Sequence, residues 1–63
     1  SLLLSDRDAA ALLGVSRATL WRRVNDGTLP KPVRIGAATR WLRAELVAVV
    51  EELAEARPRD GAG

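Results

Sequence analysis

Residues 9–22 read Ala9-Ala10-Ala11-Leu12-Leu13-Gly14-Val15-Ser16-Arg17-Ala18-Thr19-Leu20-Trp21-Arg22. Gly14 interrupts an alanine- and leucine-rich run where a helix must stop and turn, a position that often demands positive φ. Ser16 is a favoured N-cap for whatever follows. Upstream, Ser5 followed by Asp8 forms a capping-box-like start, and the acidic side chains of Asp6 and Asp8 suit the positive end of a helix dipole. A first helix is therefore expected over residues 6–13. Downstream, Arg17 to Asp26 holds no Gly or Pro before Gly27 closes it, so a second helix is expected there. Only Gly14, Val15 and Ser16 lie between the two, which is the tight connection of a helix-turn-helix. Ala10 supplies the small contact between the helices, Gly14 the turn and Leu20 the shared core.

Beyond Gly27 the periodicity changes. Pro30 and Pro32 exclude a helix. Val33 and Ile35 alternate with Arg34, and Thr39 and Trp41 alternate with Arg40, so the segment reads as a two-stranded hairpin with Gly36 to Ala38 at its tip. Each strand is expected to turn one face to the core and an arginine outward. Leu42, Leu46, Val49, Val50 and Leu53 then form the stripe of an amphipathic third helix, expected to cover the hairpin and both earlier helices. Neither Leu42 nor Arg43 is a good cap, which leaves its start defined to about two residues; Pro58 ends it. The fold class is mainly α with a small β-hairpin: helix, turn, helix, two-stranded wing, helix. This winged helix-turn-helix is expected as a single domain over residues 1–57, with residues 58–63 a disordered tail.

With 63 residues the chain is one domain, and a unit of that size buries only about 60% of its unfolded surface. It contains no Cys and no His, which removes disulfide frameworks, zinc sites and iron–sulfur clusters together. No metal and no cofactor are expected. Tyr is absent too, no pocket for paired carboxylates fits so small a core, and no Gly-rich phosphate loop occurs, so no enzymatic activity is expected. An uncharged stretch such as Leu46 to Val50 falls far below the roughly 18 residues of a membrane span, and no signal-peptide pattern opens the chain. A cytoplasmic, DNA-associated location is expected.

The formal net charge of +2 conceals a strong asymmetry. Residues 1–14 carry −1 and residues 44–63 carry −3, whereas residues 15–43 set Arg17, Arg22, Arg23, Lys31, Arg34, Arg40 and Arg43 against Asp26 alone, for +6. Such a block is the footprint of a polyanion-binding surface, with double-stranded DNA the expected partner. At about 100° per residue, Leu20 and Val24 mark the core side of the second helix; Ala18, Thr19, Arg22, Asn25 and Asp26 face away, and Arg17 sits on its first turn. The N-terminal part of such a helix enters the major groove. Ser16, Arg17, Ala18, Thr19 and Arg22 are therefore the candidate major-groove residues, arginine pairing with guanine and the Ala or Thr methyl meeting the thymine methyl. Trp21, Arg23 and Lys31 are candidates for the DNA backbone, and Arg34, Ala37, Thr39 and Arg40 for wing contacts to phosphate or minor groove. A merely solvated helix face would interleave acids with bases, and here only Asp26 intrudes. The wing has a plainer reading, since outward strand positions are commonly Lys or Arg to block edge pairing. Trp41 reads as core. Trp21 borders the core with its indole N–H within reach of a phosphate, and both readings stay open. The acidic third helix, with Glu45, Glu51, Glu52 and Glu55, is either a solvated outer face or the receiver of a neighbouring copy's basic patch, giving head-to-tail binding along DNA.

Three stretches taken together, Gly14-Val15-Ser16-Arg17-Ala18-Thr19-Leu20-Trp21, then Gly27-Thr28-Leu29-Pro30-Lys31-Pro32-Val33-Arg34-Ile35-Gly36, then Arg40-Trp41, resemble the excisionase and AlpA-type branch of the MerR-like winged-helix superfamily. The likeness covers about residues 3–56. It implies that the second helix reads the major groove, that the wing reaches an adjacent minor groove, and that small copies bind repeated sites cooperatively and bend DNA. Relatives of this kind direct a site-specific integrase toward excision without cutting DNA, so the implied role is that of a phage excisionase, or recombination directionality factor, with an integrase and further copies of the chain as candidate partners. The alternatives are an AlpA-like transcriptional regulator and, from another class, a small adaptor that docks an acidic protein. Trp21 departs from the pattern, standing where relatives often carry Tyr. No long C-terminal helix like that of full MerR regulators is expected within these residues, so an effector-sensing regulator is not the expected role.

Overall fold

A computed structural model of the chain describes residues 2–58. The order of elements is β1 (Leu3–Leu4), α1 (Asp6–Leu13), α2 (Arg17–Asn25), β2 (Val33–Ile35), β3 (Ala38–Leu42) and α3 (Arg43–Ala56). The disordered tail expected over residues 58–63 lies, from residue 59 onward, outside the described residues.

The capping chemistry that places α1 and α2 is present atom by atom. Ser5 Oγ accepts from the Asp8 backbone N–H at 3.2 Å, and Ser16 Oγ accepts from that of Thr19 at 3.1 Å. Gly14 takes φ 72°, and around it the Gly14 N–H donates to the Ala11 carbonyl at 3.2 Å while the Val15 N–H donates to the Ala10 carbonyl at 3.0 Å. These are the paired hydrogen bonds of a Schellman stop, and they close α1 on a residue without a Cβ. Ala9 and Ala10 are buried at the resulting helix contact, where longer side chains would hold the two helices apart.

The core comprises Ala9, Ala10, Leu20, Val24, Leu29, Trp41 and Leu46, with Leu4, Leu13 and Val49 packed against it. Trp41, Leu20 and Leu46 are its largest fully buried side chains. The Trp41 indole N–H donates to the Pro30 carbonyl at 3.0 Å, so the buried ring carries no unsatisfied donor and ties the loop after α2 to the sheet. The reading of Trp41 as core holds.

The sheet has the order β1-β3-β2, all antiparallel. Strand β1 was not foreseen, since a two-residue strand is too short to show alternation. Leu4 pairs with Trp41 and Leu3 with Leu42, and the Arg43 N–H donates to the Leu2 carbonyl at 3.0 Å.

The wing departs from expectation by one residue. Ile35 pairs with Ala38, so the loop is Gly36-Ala37 rather than Gly36 to Ala38. Gly36 has φ 61° and Ala37 does not have positive φ, the combination that a type II′ hairpin turn requires. Shortening the loop by one residue moves the register, and in a strand a one-residue shift exchanges the faces. Val33 lies opposite Arg40, and Arg34 opposite Thr39. Val33 and Ile35 therefore do not face the core: they share a face with Arg40 and are exposed, Ile35 to 54%. Arg34 and Arg40, expected on one outward face, lie on opposite faces of the hairpin.

Helix α3 starts directly after β3, at Arg43, with Leu42 as a cap that makes no side-chain hydrogen bond. It does not blanket the paired helices as expected. Its first turns reach the core through Leu46 and Val49, whereas Val47, Val50 and Leu53 stay exposed, Leu53 to 51%. Only the near end of α3 therefore meets the core. The far end flanks an open groove formed with Gly27, Thr28, Leu29 and Pro30.

Candidate DNA-binding interface

The interface is built on α2. Leu20 and Val24 anchor its inner side in the core, which fixes the rotation of the helix and leaves Ser16, Arg17, Ala18 and Arg22 exposed, with Thr19 half-buried. Ser16 is committed locally: its oxygen caps the helix and its hydroxyl donates to Thr19 Oγ1 at 3.0 Å. Arg22 makes no ion pair or side-chain hydrogen bond among the described residues, so its whole guanidinium is available to an external acceptor.

One expectation about charge needs correction. The sequence places only Asp26 among the basic residues, but the fold brings Asp6 to them from the start of α1. Arg17 Nη2 lies 3.0 Å from Asp6 Oδ2. The Trp21 indole N–H, for which a core-bordering place and a phosphate contact were both open readings, donates to the same oxygen at 3.3 Å. That bond, more than the neighbouring Arg17, holds the Asp6 carboxyl below its usual pKa, against partial desolvation that pushes it up. The Trp21 ring meets Trp41 edge to face, with centroids 5.1 Å apart, so Trp21 braces the helix-turn-helix as well as bordering its surface.

At the other end of α2, Asp26 caps the exit. Its Oδ1 accepts from the Thr28 hydroxyl at 2.6 Å and the Thr28 N–H at 2.9 Å, an Asx turn, while Oδ2 binds Arg23 Nη1 at 2.7 Å. These donors, Thr28 first and Arg23 after it, lower the Asp26 pKa to about 2. Arg23 is thereby partly occupied, with an exposed side chain that an incoming phosphate would have to share with Asp26.

On the wing, Lys31, Arg34 and Ala37 are exposed and Thr39 and Arg40 half-buried. Lys31 and Arg34 have no ion pair or side-chain hydrogen bond among the described residues; Arg40 Nη1 donates to the Thr39 carbonyl at 2.8 Å. Six of the seven basic residues thus lie on α2, the loop after it and the hairpin, in three states: Arg17 and Arg23 paired, Arg40 tied to backbone, and Arg22, Lys31 and Arg34 without an ion pair or side-chain hydrogen bond among the described residues; the seventh, Arg43, opens α3. No group of side chains able to hold a metal ion occurs among the described residues, and none of the described helices is long and apolar enough to cross a membrane.

A family model described as a helix-turn-helix domain matches residues 3–54. The chain is a member of that helix-turn-helix family. Its three helices, tight Gly14 turn and antiparallel wing make it a winged helix-turn-helix, a DNA-binding architecture. The match spans both strands of the wing and most of α3, so the helix-turn-helix family accounts for nearly all of the described chain. Comparisons with curated proteins and with solved structures gave no match.

Proposed function

We propose that this helix-turn-helix domain is a non-catalytic, sequence-specific binder of double-stranded DNA acting as an excisionase, which occupies repeated sites cooperatively and bends DNA so that an integrase excises. The observation that carries the DNA reading is Arg22: a guanidinium without a partner among the described residues, on the outward face of a helix whose inner face is locked into the core. In this reading Arg17, Ala18, Thr19 and Arg22 meet base edges, Ser16 orients the helix end, Arg23, Trp21 and Lys31 lie along the backbone, and Arg34, Ala37, Thr39 and Arg40 form the wing contact. The excisionase assignment is supported by the resemblance carried by residues 14–21, 27–36 and 40–41. Cooperative head-to-tail binding is supported by complementarity between the exposed apolar and cationic wing, with Val33, Ile35 and Lys31, and the exposed α3, with Leu53 beside Glu51, Glu52 and Glu55.

The test is a mobility-shift titration on duplexes carrying one, two and three copies of the site, paired with an integrase-dependent excision assay on supercoiled substrate. Stepwise complexes with rising affinity, and excision that depends on the protein, are expected. Single occupancy with no effect on excision but repression or activation of an adjacent promoter would select the AlpA-like regulator instead. Failure to bind any duplex at low salt would select the protein adaptor.

A further inference from the structure

Arg17 meets Asp6 along one edge of its guanidinium. Nε donates to Asp6 Oδ2 at 3.3 Å and Nη2 donates to the same oxygen at 3.0 Å. Trp21, one turn further along α2, fixes that oxygen from a third direction with its indole N–H. The three residues lie 11 and 15 positions apart in sequence and meet only because the Gly14 turn folds the start of α1 against the start of α2. Among the described residues Arg17 has no other ion pair or side-chain hydrogen bond.

A guanidinium carries five N–H groups in a fixed plane. The carboxylate takes the Nε–H and one Nη2–H, so the opposite end of the fork, with one N–H from each Nη, remains open. Guanine offers O6 and N7 in the major groove to two parallel donors of this kind. The exposures fit the arrangement, since the Arg17 side chain is 62% exposed and that of Asp6 only 26%. An exposed ion pair of this sort contributes little to folding. Its consequence is orientational: a long side chain that otherwise loses rotamer freedom on binding is held with its open end outward.

We propose that Asp6 is a specificity-determining positioning residue, which fixes Arg17 through its Nε edge so that the remaining fork meets one guanine end-on. The proposal rests on the DNA-binding reading of α2 given above. Asp6 does more than steer. Its negative charge at the interface penalises contacts in which Arg17 swings away to a phosphate and leaves the carboxylate unpaired, so sequences without the matching guanine gain less from Arg17.

The experiment uses the full chain and a duplex selected by it from a randomised pool, together with every single-base variant of that duplex and a random-sequence duplex. Asp6→Ala, Arg17→Ala and the double variant are compared, and the quantity read is the ratio of affinities between the selected and the variant duplexes. A partly unfolded preparation lowers all affinities together and leaves the ratio unmoved. Arg17→Ala is expected to lower the ratio at one base pair by about fivefold or more, the low end of a bidentate contact. Asp6→Ala is expected to lower it at that same base pair, and the double variant to lose no more than Arg17→Ala alone. If Arg17→Ala reduces discrimination while Asp6→Ala preserves it, the positioning role is overturned and the base-reading role stands. If Arg17→Ala weakens every duplex equally, Arg17 reads no base and both fall.

Discussion

In the proposed interface Arg22 and Arg40 make two kinds of contact. Arg22 projects from α2 without a partner among the described residues, whereas Arg40 is half-buried on the hairpin and bonded to the Thr39 carbonyl. Arg22→Ala is expected to cost about 1–3 kcal/mol of specific binding and to relax specificity at one position, while Arg40→Ala weakens binding to all sequences alike. Affinities measured on the selected and random duplexes check this, and equal losses for Arg22→Ala would refute its base-reading role. Asp26 makes a prediction about acid. Its folded pKa of about 2 lies below the unfolded value near 3.9. The carboxylate therefore stabilises the fold at pH above about 4, and that contribution is lost as pH falls toward about 2. Asp26→Asn should flatten this limb of the stability profile, as followed by circular dichroism across the acid range; an unchanged limb would assign the acid sensitivity to other groups.

At the scale of elements, each helix end has its own chemistry. Ser16 accepts from the Thr19 N–H and gives its own proton to the Thr19 hydroxyl, so Ser16→Ala is expected to destabilise the fold by about 1 kcal/mol. The same variant should weaken DNA binding only in proportion to lost folded protein; urea titration and mobility shift on one preparation distinguish that from a direct contact. The wing shows how a local choice sets a long-range outcome. Gly36 admits the two-residue turn, the turn fixes Ile35 opposite Ala38, and that register puts Arg34 on the Trp41 side of the hairpin and Arg40 on the other. The period-2 alternation of residues 33–41 foretold the strands, but loop length alone decided which side chains share a face.

Across the whole molecule, charge is separated along the chain and then partly neutralised by folding. Of the seven basic residues between positions 15 and 43, Arg17 and Arg23 have carboxylate partners. The other five, Arg22, Lys31, Arg34, Arg40 and Arg43, have none among the described residues. With about 0.9 per phosphate neutralised, the three of these that the proposed interface puts along the backbone or on the wing, Lys31, Arg34 and Arg40, predict a log–log salt slope of about −2.7; Arg23 adds less because it exchanges Asp26 for phosphate, and Arg17 and Arg22 meet base edges in that interface. A slope between about −1 and −2 would show that the block does not engage the backbone as a unit. The fold itself spans 48 × 22 × 18 Å, elongated because α3 leaves the core after its first turns and carries an exposed apolar and acidic stripe outward.

The sequence by itself determined the helices, their caps, the Gly14 turn, the existence of the wing and the concentration of positive charge. All of these follow from interactions within a few residues: a serine hydroxyl on a nearby N–H, a glycine at positive φ, an apolar period of two or of three to four. Tertiary structure alone decided the pairing of Leu3 and Leu4 with the wing, the faces on which Arg34 and Arg40 lie, the incomplete cover by α3, and the meeting of Asp6 with Arg17 and Trp21. Those depend on where a turn directs the chain next, and side chains 11 to 15 positions apart become neighbours only when two helices pack at the distance that Ala9 and Ala10 allow.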